Sequence, residues 1–397
     1  MIPSLRKQFN DQFTPDKYKQ YLSYIDREFP NALDFRIAET PLLIDANFKN
    51  KLLAVGNYIT QFILAPNFKA LTKGALASAT NTSTENNFPD CLVIDYAITQ
   101  NEQGELTPAL IELQGFPSLF AFEVLQNKAI RSAYTIPAGY SCFLNGYDEQ
   151  SYLSHLREVI NGPHNKCTVL LELFPDKQKT RIDFYCTKQM IGTPIVCLSE
   201  IYGKGKDVFY MQDGVEYKIE RIYNRVVGDE LKSQTNTLKE NWELLLNAPA
   251  IEWVNHPNHF YRISKYLIPF LQHPYIPITQ LLSKVERIPQ DLENFVLKPL
   301  YSFAGQGVII DLTTADILQI KDPENWILQK KVKYAEIIET PDGKAKAEIR
   351  LFYFYDYKSG TYIATNNLTR LSKGKMIGVN YNKTATWVGG SLSYFEI

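Results

Sequence analysis

Phe295-Val296-Leu297-Lys298-Pro299-Leu300-Tyr301-Ser302-Phe303-Ala304-Gly305-Gln306-Gly307-Val308-Ile309 reads as an apolar strand that ends in a lysine and runs into a loop of small residues. Glycines let backbone N–H groups approach phosphate oxygens, and a lysine adds a point charge beside them. The stretch is not a Walker A loop, because no Gly-Lys-Ser/Thr follows. Nor is it a dinucleotide fingerprint, because a strand follows Gly305 and Gly307 where a helix should start. Taken alone, it also fits a hairpin with a glycine turn and a surface lysine.

Its surroundings favour the phosphate reading. Downstream, Trp326-Ile327-Leu328-Gln329-Lys330-Lys331-Val332 is an apolar strand breaking into a basic stretch, suited to offer backbone hydrogen bonds to an adenine edge. Upstream, Asn255-His256-Pro257 leads into Phe260 to Leu271, where the apolar spacing predicts an amphipathic helix carrying Lys265.

The whole chain sets the limits. It has 397 residues, 42 Lys+Arg against 43 Asp+Glu, and 45% hydrophobic residues, which excludes disorder, collagen and disulfide miniproteins. A formal charge of -1 argues against bulk attraction to nucleic acid or to an anionic membrane. Cys91, Cys142, Cys167, Cys186 and Cys197 are odd in number and lack a CxxC, so reduced, mostly buried thiols are expected. No apolar run approaches the roughly 18 residues of a membrane span and the N-terminus lacks a secretory h-region, so a cytoplasmic location is expected.

Along the chain, residues 1–70 read as largely helical, and Ser78 to Asn87 as a polar surface loop. Leu92 to Ile98 and Ala109 to Leu113 form a predicted hairpin with acids on both strands. Strand, helix and strand alternate from about 165 to 245, which implies a parallel α/β layer. Tyr217 to Val227 reads as one strand, and helices are predicted at about 236–247 and 260–272. The last third is strand-rich, including Val308-Ile309-Ile310, with a closing strand pair between Met376 and Trp387.

Taken in order, these motifs resemble the ATP-grasp superfamily over about residues 90–397. Within it they are most similar to the circularly permuted branch that includes glutathionylspermidine synthetase and eukaryotic glutathione synthetase. The matching elements are Asn255-His256-Pro257 with Lys265, the Val-Leu-Lys-Pro strand of Lys298, and the Trp-x-x-Gln strand of Trp326. Glu348-Ile349-Arg350-Leu351-Phe352 resembles the family's Leu-Arg-x-Phe strand, and Asn366 to Arg370 its Gly-Gly-Leu-Thr-Arg turn. Gly378-Val379-Asn380 and Thr386-Trp387-Val388 resemble its closing elements, and Tyr223-Asn224-Arg225 its substrate-side strand.

The resemblance implies a mixed α+β and α/β chain: a circularly permuted ATP-grasp core with an α/β substrate-side domain. The implied divisions are a helical segment at 1–90, a metal-binding hairpin at 91–130, the substrate-side domain at 131–250 and ATP-binding lobes at 251–397. The implied activity is ATP- and magnesium-dependent ligation of a small-molecule or peptide carboxylate to an amine through an acylphosphate.

Residue by residue, Lys265 and Lys298 would hold phosphates, with Ser302, Phe303, Ala304, Gly305, Gln306 and Gly307 as the covering loop. Gln329, Lys330, Lys331 and Val332 would hold adenine, and Arg350 and Arg370 would stabilise transferring charge. Asp95, Glu112 and Gln114 would bind magnesium; Glu112 and Gln114 alternate onto one strand face, so both oxygens can reach one ion. The sequence departs from the family at Val93, where the amine ligases have arginine, at Gln114, where they have asparagine, and at Asn366-Asn367. Those departures keep open a non-catalytic nucleotide-binding protein, and a phosphotransferase is a third reading. The five histidines show no metal spacing and read as structural or surface residues.

Overall fold

The computed structural model describes residues 2–76, 85–162, 166–302, 305–377, 382 and 384–397. Helix α1 (Pro3–Gln12) begins on a proline, whose fixed φ and missing N–H suit a first helical turn. A second helix follows over Pro15–Glu28, capped by the Thr14 side chain, and a third over Ala46–Leu64, capped by Asp45. Strand β1 (Cys91–Gln100) turns through Asn101, whose side chain accepts from the N–H groups of Gln103 and Glu105, into β2 (Leu106–Gln114). Eight consecutive residues of β1 are buried, because the strand lies inside a sheet. That explains its nearly continuous apolar run, broken by Asp95. Helix α2 (Phe122–Ala133) follows, with the Asp183 carboxylate accepting at its N-terminus from Ala121 and Phe122 N–H.

A parallel sheet comes next, ordered 252–254, 221–224, 168–172, 195–197. A small antiparallel sheet of 202–204, 207–212 and 215–218 is attached in sequence. The helix over Asn236–Asn247 matches its predicted range. Helix α3 (Pro257–Arg262) is short, and strands β3 (Phe295–Pro299) and β4 (Trp326–Lys330) pair antiparallel with 279–281 on the far side of β4.

The long strands β5 (Gly343–Asp356) and β6 (Thr361–Ser372) complete the largest sheet, ordered 389–391, β6, β5, β1, β2. Both faces of this sheet, the N-terminal helices and α2 contribute to one core, including Tyr21, Ile25, Phe48, Leu52, Ile94, Phe122, Phe352 and Leu371. A second cluster surrounds the parallel sheet, from Val169 to Trp253, and a third joins Leu282, Leu297, Leu312 and Leu328. The architecture is mixed α and β with several sheets.

Several local expectations change. The predicted helix at 260–272 ends at Arg262; Ser264 then caps a 3-10 turn over Lys265–Phe270, in which Pro269 prevents a longer helix. Tyr217 to Val227 is two strands, because the chain leaves one sheet at Lys218 and enters another at Arg221. Asn366 and Asn367 lie inside β6 rather than in a turn, and Ile309 makes an isolated bridge to Leu297 rather than a strand of 308–310. The closing strands run over Gly389–Ser391 and Ser393–Glu396, beyond the predicted 376–387. The motif Gly378-Val379-Asn380 and most of the predicted 78–87 loop lie outside the described residues. No helix among the described residues is long and apolar enough to cross a membrane, and all five cysteines are free, four of them buried.

Candidate functional site

Strand register assembles a row of charges on one face of the large sheet. Asp95 on β1 lies opposite Glu112 on β2 and opposite Arg350 on β5, while Glu348 on β5 lies opposite Arg370 on β6. Directly opposed residues share a face, and so do residues two apart, so all five side chains project together. Asp95 is 1% exposed and fully engaged: Oδ1 accepts from Arg350 Nε at 2.6 Å, and Oδ2 from Arg350 Nη2 at 2.7 Å and Arg370 Nη2 at 2.6 Å. Burial alone would raise its pKa; the charges of Arg350 and Arg370 and the Arg350 hydrogen bonds outweigh it and hold the carboxyl below its ordinary value.

Glu348 is the acid the sequence reading missed. It is buried, accepts from Arg370 and, at 2.7 Å, from the Tyr334 hydroxyl, and burial raises its pKa despite Arg370. Its only sequence signal was its place two residues before Arg350 on a strand, which puts both on one face. Ser118 was also unassigned; its hydroxyl accepts from Arg350 Nη1 at 3.3 Å and its carbonyl from Arg225 Nη1 at 2.8 Å.

Two lysines approach from other elements. Lys265 is buried, and its Nζ donates to Glu112 at 3.2 Å and to the carbonyl of Ser302 at 2.7 Å. It is therefore held between the acidic row and the start of the glycine loop. Lys298, at the end of β3, donates to Gln329 Oε1 at 2.6 Å, and Gln329 Nε2 donates to Thr279 Oγ1 at 2.9 Å. Burial, then the neighbouring charge of Lys265, lowers the Lys298 pKa to about 8. Counting groups, Lys265, Lys298, Arg350 and Arg370 face Asp95, Glu112 and Glu348, which leaves the cluster with one positive charge in excess.

The remaining predicted residues fall as follows. Gln114 and Glu112 line one narrow cleft with Phe260, Ser264, Tyr301 and Ser302, which has room for little more than a water molecule. Gly305 and Gly307 have φ of 76° and 74°, a region favouring glycine, and Gln306 is exposed between them. Phe303 and Ala304 lie outside the described residues. After Gln329, the Lys330 N–H donates to Ile278 O and the Lys331 N–H to Asn294 O, while Val332 is half-buried and follows the strand. Among the described residues, no group of three or more His, Cys, Asp or Glu side chains could hold a metal ion, so a cation here would rely on Glu112 and Gln114 with non-protein oxygens.

Backbone contacts lock the two sides of the cleft. The Gly115 N–H, directly after Gln114, donates to Ile263 O at 2.8 Å, and a Cβ at Gly115 would collide with the carbonyl oxygen of His259. Glutamate 85 ties α3 down: it accepts from Arg262 Nε at 2.6 Å and from Asn258 Nδ2 at 2.9 Å, while Arg262 Nη1 donates to Lys69 O and Thr72 Oγ1. His259, buried beside Glu85, has its pKa lowered to about 3 by burial, and it serves the packing of α3.

No protein-family model matches the chain, and no curated protein sequence matches it. Among solved structures, it is similar to a glutathione synthetase-like effector from Globodera pallida in its apo form. That likeness has a TM-score of 0.58 at 10% identity and covers 97% of this chain and 98% of the other. The two proteins share a fold.

Proposed function

We propose that the chain is an ATP-grasp-type enzyme that joins a carboxylate to an amine at the expense of ATP, with magnesium. The observation that carries this reading is the clustering of Lys265, Lys298, Arg350 and Arg370 around Asp95, Glu112 and Glu348, with a single positive charge in excess. Such a cradle suits a polyanion, and the shared fold with a glutathione synthetase-like effector supports the ATP-grasp assignment. The hairpin of β1 and β2 precedes both lysines in the chain, the order a circularly permuted core requires.

The donor set fits magnesium in part. Glu112 and Gln114 present oxygens to one cleft, and magnesium takes one or two protein oxygens together with phosphates and waters. These two residues would hold it, where it would neutralise phosphate charge. Asp95 is committed to the arginines, so in this reading it orients Arg350 and Arg370.

In the reaction, a carboxylate oxygen attacks the γ-phosphorus and ADP leaves; an amine then attacks the acyl carbon, phosphate departs with the bonding pair, and the amine gives up a proton. Little acid–base chemistry is needed, so the chain works by positioning and by stabilising charge. Lys298, fixed by Gln329, and Lys265, fixed by Ser302 O, would set the phosphates. Arg350 and Arg370, held in plane by Asp95 and Glu348, would meet the charge developing on the transferred group.

The test is ATP titration by calorimetry with magnesium, followed by ADP release with pools of amino acids, polyamines and short peptides. Equal ATP affinity in the wild type and Lys298→Ala overturns the nucleotide assignment. The saturation of Asp95 by two guanidinium groups favours one second reading, a nucleotide-binding protein that forms no bond. ATP binding with no ADP release from any pool selects it.

A further inference from the structure

The small antiparallel sheet leaves one strand edge bare. Val215–Lys218 is the outer strand of the order 202–204, 207–212, 215–218; among the described residues no strand pairs with its far side, and all four of its residues are exposed. Large apolar side chains also stay in water here: Met211, Val215 and Tyr217, all in one hairpin, are 50%, 51% and 40% exposed. An edge of this kind offers unpaired N–H and C=O groups to any strand that can lie beside it.

The turn fixes which groups those are. Asp213 and Gly214 have φ of 51° and 77°, the left-handed pair that closes a two-residue hairpin on a hydrogen-bonded couple, Gln212 with Val215. Bonded and open couples alternate from there along an antiparallel ladder. Tyr210 with Tyr217 is therefore bonded, and so is the next such couple, where the Ile219 N–H donates to Val208 O at 2.8 Å. Glu216 and Lys218 lie between these positions, so their N–H and C=O groups point outward, away from the strand 207–212.

An antiparallel partner must bond to Glu216 and Lys218, and this strand is complementary to itself. Of the two-fold registers centred on Glu216, Tyr217 or Lys218, the first opposes two glutamates and the last opposes two lysines. The middle one sets each Glu216 against Lys218 of the other copy and brings the two exposed tyrosines together, both favourable cross-strand pairings. Within one copy, Glu216 Oε1 accepts from Tyr202 at 2.7 Å and from Lys204, and Lys218 Nζ lies 2.8 Å from Asp207 Oδ1. These ion pairs are exposed and contribute little, so they do not compete strongly with a second partner.

We propose that two copies of this chain associate through Val215–Lys218, antiparallel about a two-fold axis at Tyr217, joining two three-stranded sheets into one. Only Glu216 and Lys218 of each copy supply backbone bonds, so the interface is small and the association weak. The contact is independent of the ligase reading and shares no residue with the cleft around Lys298.

The test is sedimentation equilibrium on the full chain, without ATP or magnesium, from about 5 to about 300 µM, the range in which a weak dimer forms. The average mass should climb from 45.6 kDa towards twice that value. Glu216→Lys and Lys218→Glu each oppose like charges on both sides of the axis, and each should weaken dimerisation about tenfold or more. Mixed in equal amounts, the two variants should recover wild-type association, because every lysine then meets a glutamate. Both positions are exposed, so thermal melting by circular dichroism should find both variants folded. A mass that stays at 45.6 kDa throughout leaves the edge to solvent or to a strand of another protein and overturns the proposal. Wild-type association in either single variant overturns it as well, by moving the contact to another face, and so does a mixture that stays monomeric, by excluding the register.

Discussion

Asp95 and Arg350 face each other across an antiparallel strand pair, and the carboxylate takes both Nε and Nη2 of the guanidinium, at 2.6 and 2.7 Å. This two-pronged contact fixes the plane of Arg350, and Arg370 leans on the same carboxylate. Removing it leaves both guanidinium groups without their shared carboxylate. Asp95→Ala should therefore destabilise the protein by about 3–5 kcal/mol in urea denaturation, the range for breaking a buried ion pair. Magnesium affinity in the presence of ATP separates the roles: a positioning Asp95 leaves it nearly intact in Asp95→Asn, whereas a direct ligand loses it.

Lys298 gives the phosphate reading a pH signature. Its pKa is lowered to about 8 by burial and by Lys265, so it is charged at neutral pH and loses its proton in mild alkali. ATP affinity should fall as pH rises from about 7 to about 9 in the wild type, and should stay flat in Lys298→Arg, which keeps its charge. Calorimetry at both pH values decides it; identical profiles for the two proteins would remove Lys298 from the phosphate contacts.

How much of this was legible in the sequence depended on distance along the chain. The strand ending at Lys298 and the Gly305-Gln306-Gly307 loop are local, so spacing and residue type located them. The pairing of Arg350 with Asp95 spans 255 positions and rests on a register that no local pattern encodes. Asn366 and Asn367 illustrate the opposite failure. Asparagine favours turns, but here the Asn367 amide donates to Cys142 O and Ser393 O, so tertiary bonds hold it inside a strand. Gly389 and Gly390 masked the closing strand for the same reason, since glycine carries no apolar signal.

Gly115 couples the acidic hairpin to α3. Its N–H bonds Ile263 O at 2.8 Å, and an added Cβ would strike the His259 carbonyl and lie 2.9 Å from the Ile263 Cβ. Both obstacles are backbone or stiff side chain, so the hairpin end must move. Gly115→Ala should cost about 1–3 kcal/mol of stability, as overpacking does. It should also weaken ATP binding, because Glu112 and Lys265 would be drawn apart. If calorimetry finds unchanged ATP affinity in a destabilised Gly115→Ala, the register between hairpin and helix does not set the phosphate site.

Glu172 predicts how stability falls in alkali. It is buried at the end of the strand Thr168–Glu172, and burial raises its pKa from 4.5 to about 8, opposed by the Leu173 N–H and by Arg225. A carboxyl with a folded pKa above its unfolded one binds more protons when folded between those values. Its stabilisation is therefore complete below about pH 4.5 and is lost as pH rises through about 8. Asp183, raised to about 6 by burial, acts in the same direction. His259, with its pKa lowered to about 3, acts in the opposite one, but only below its unfolded value of 6.5. Lys298, lowered to about 8, acts oppositely between about pH 7 and about pH 9. The comparison with a variant that changes only position 172 therefore isolates Glu172, whose loss over that interval should be about 1.4 kcal/mol. Glu172→Gln, which cannot ionise, should lose less stability than the wild type over that interval. Parallel curves in urea denaturation would mean that Glu172 is already ionised at pH 7 and that Arg225 outweighs its burial.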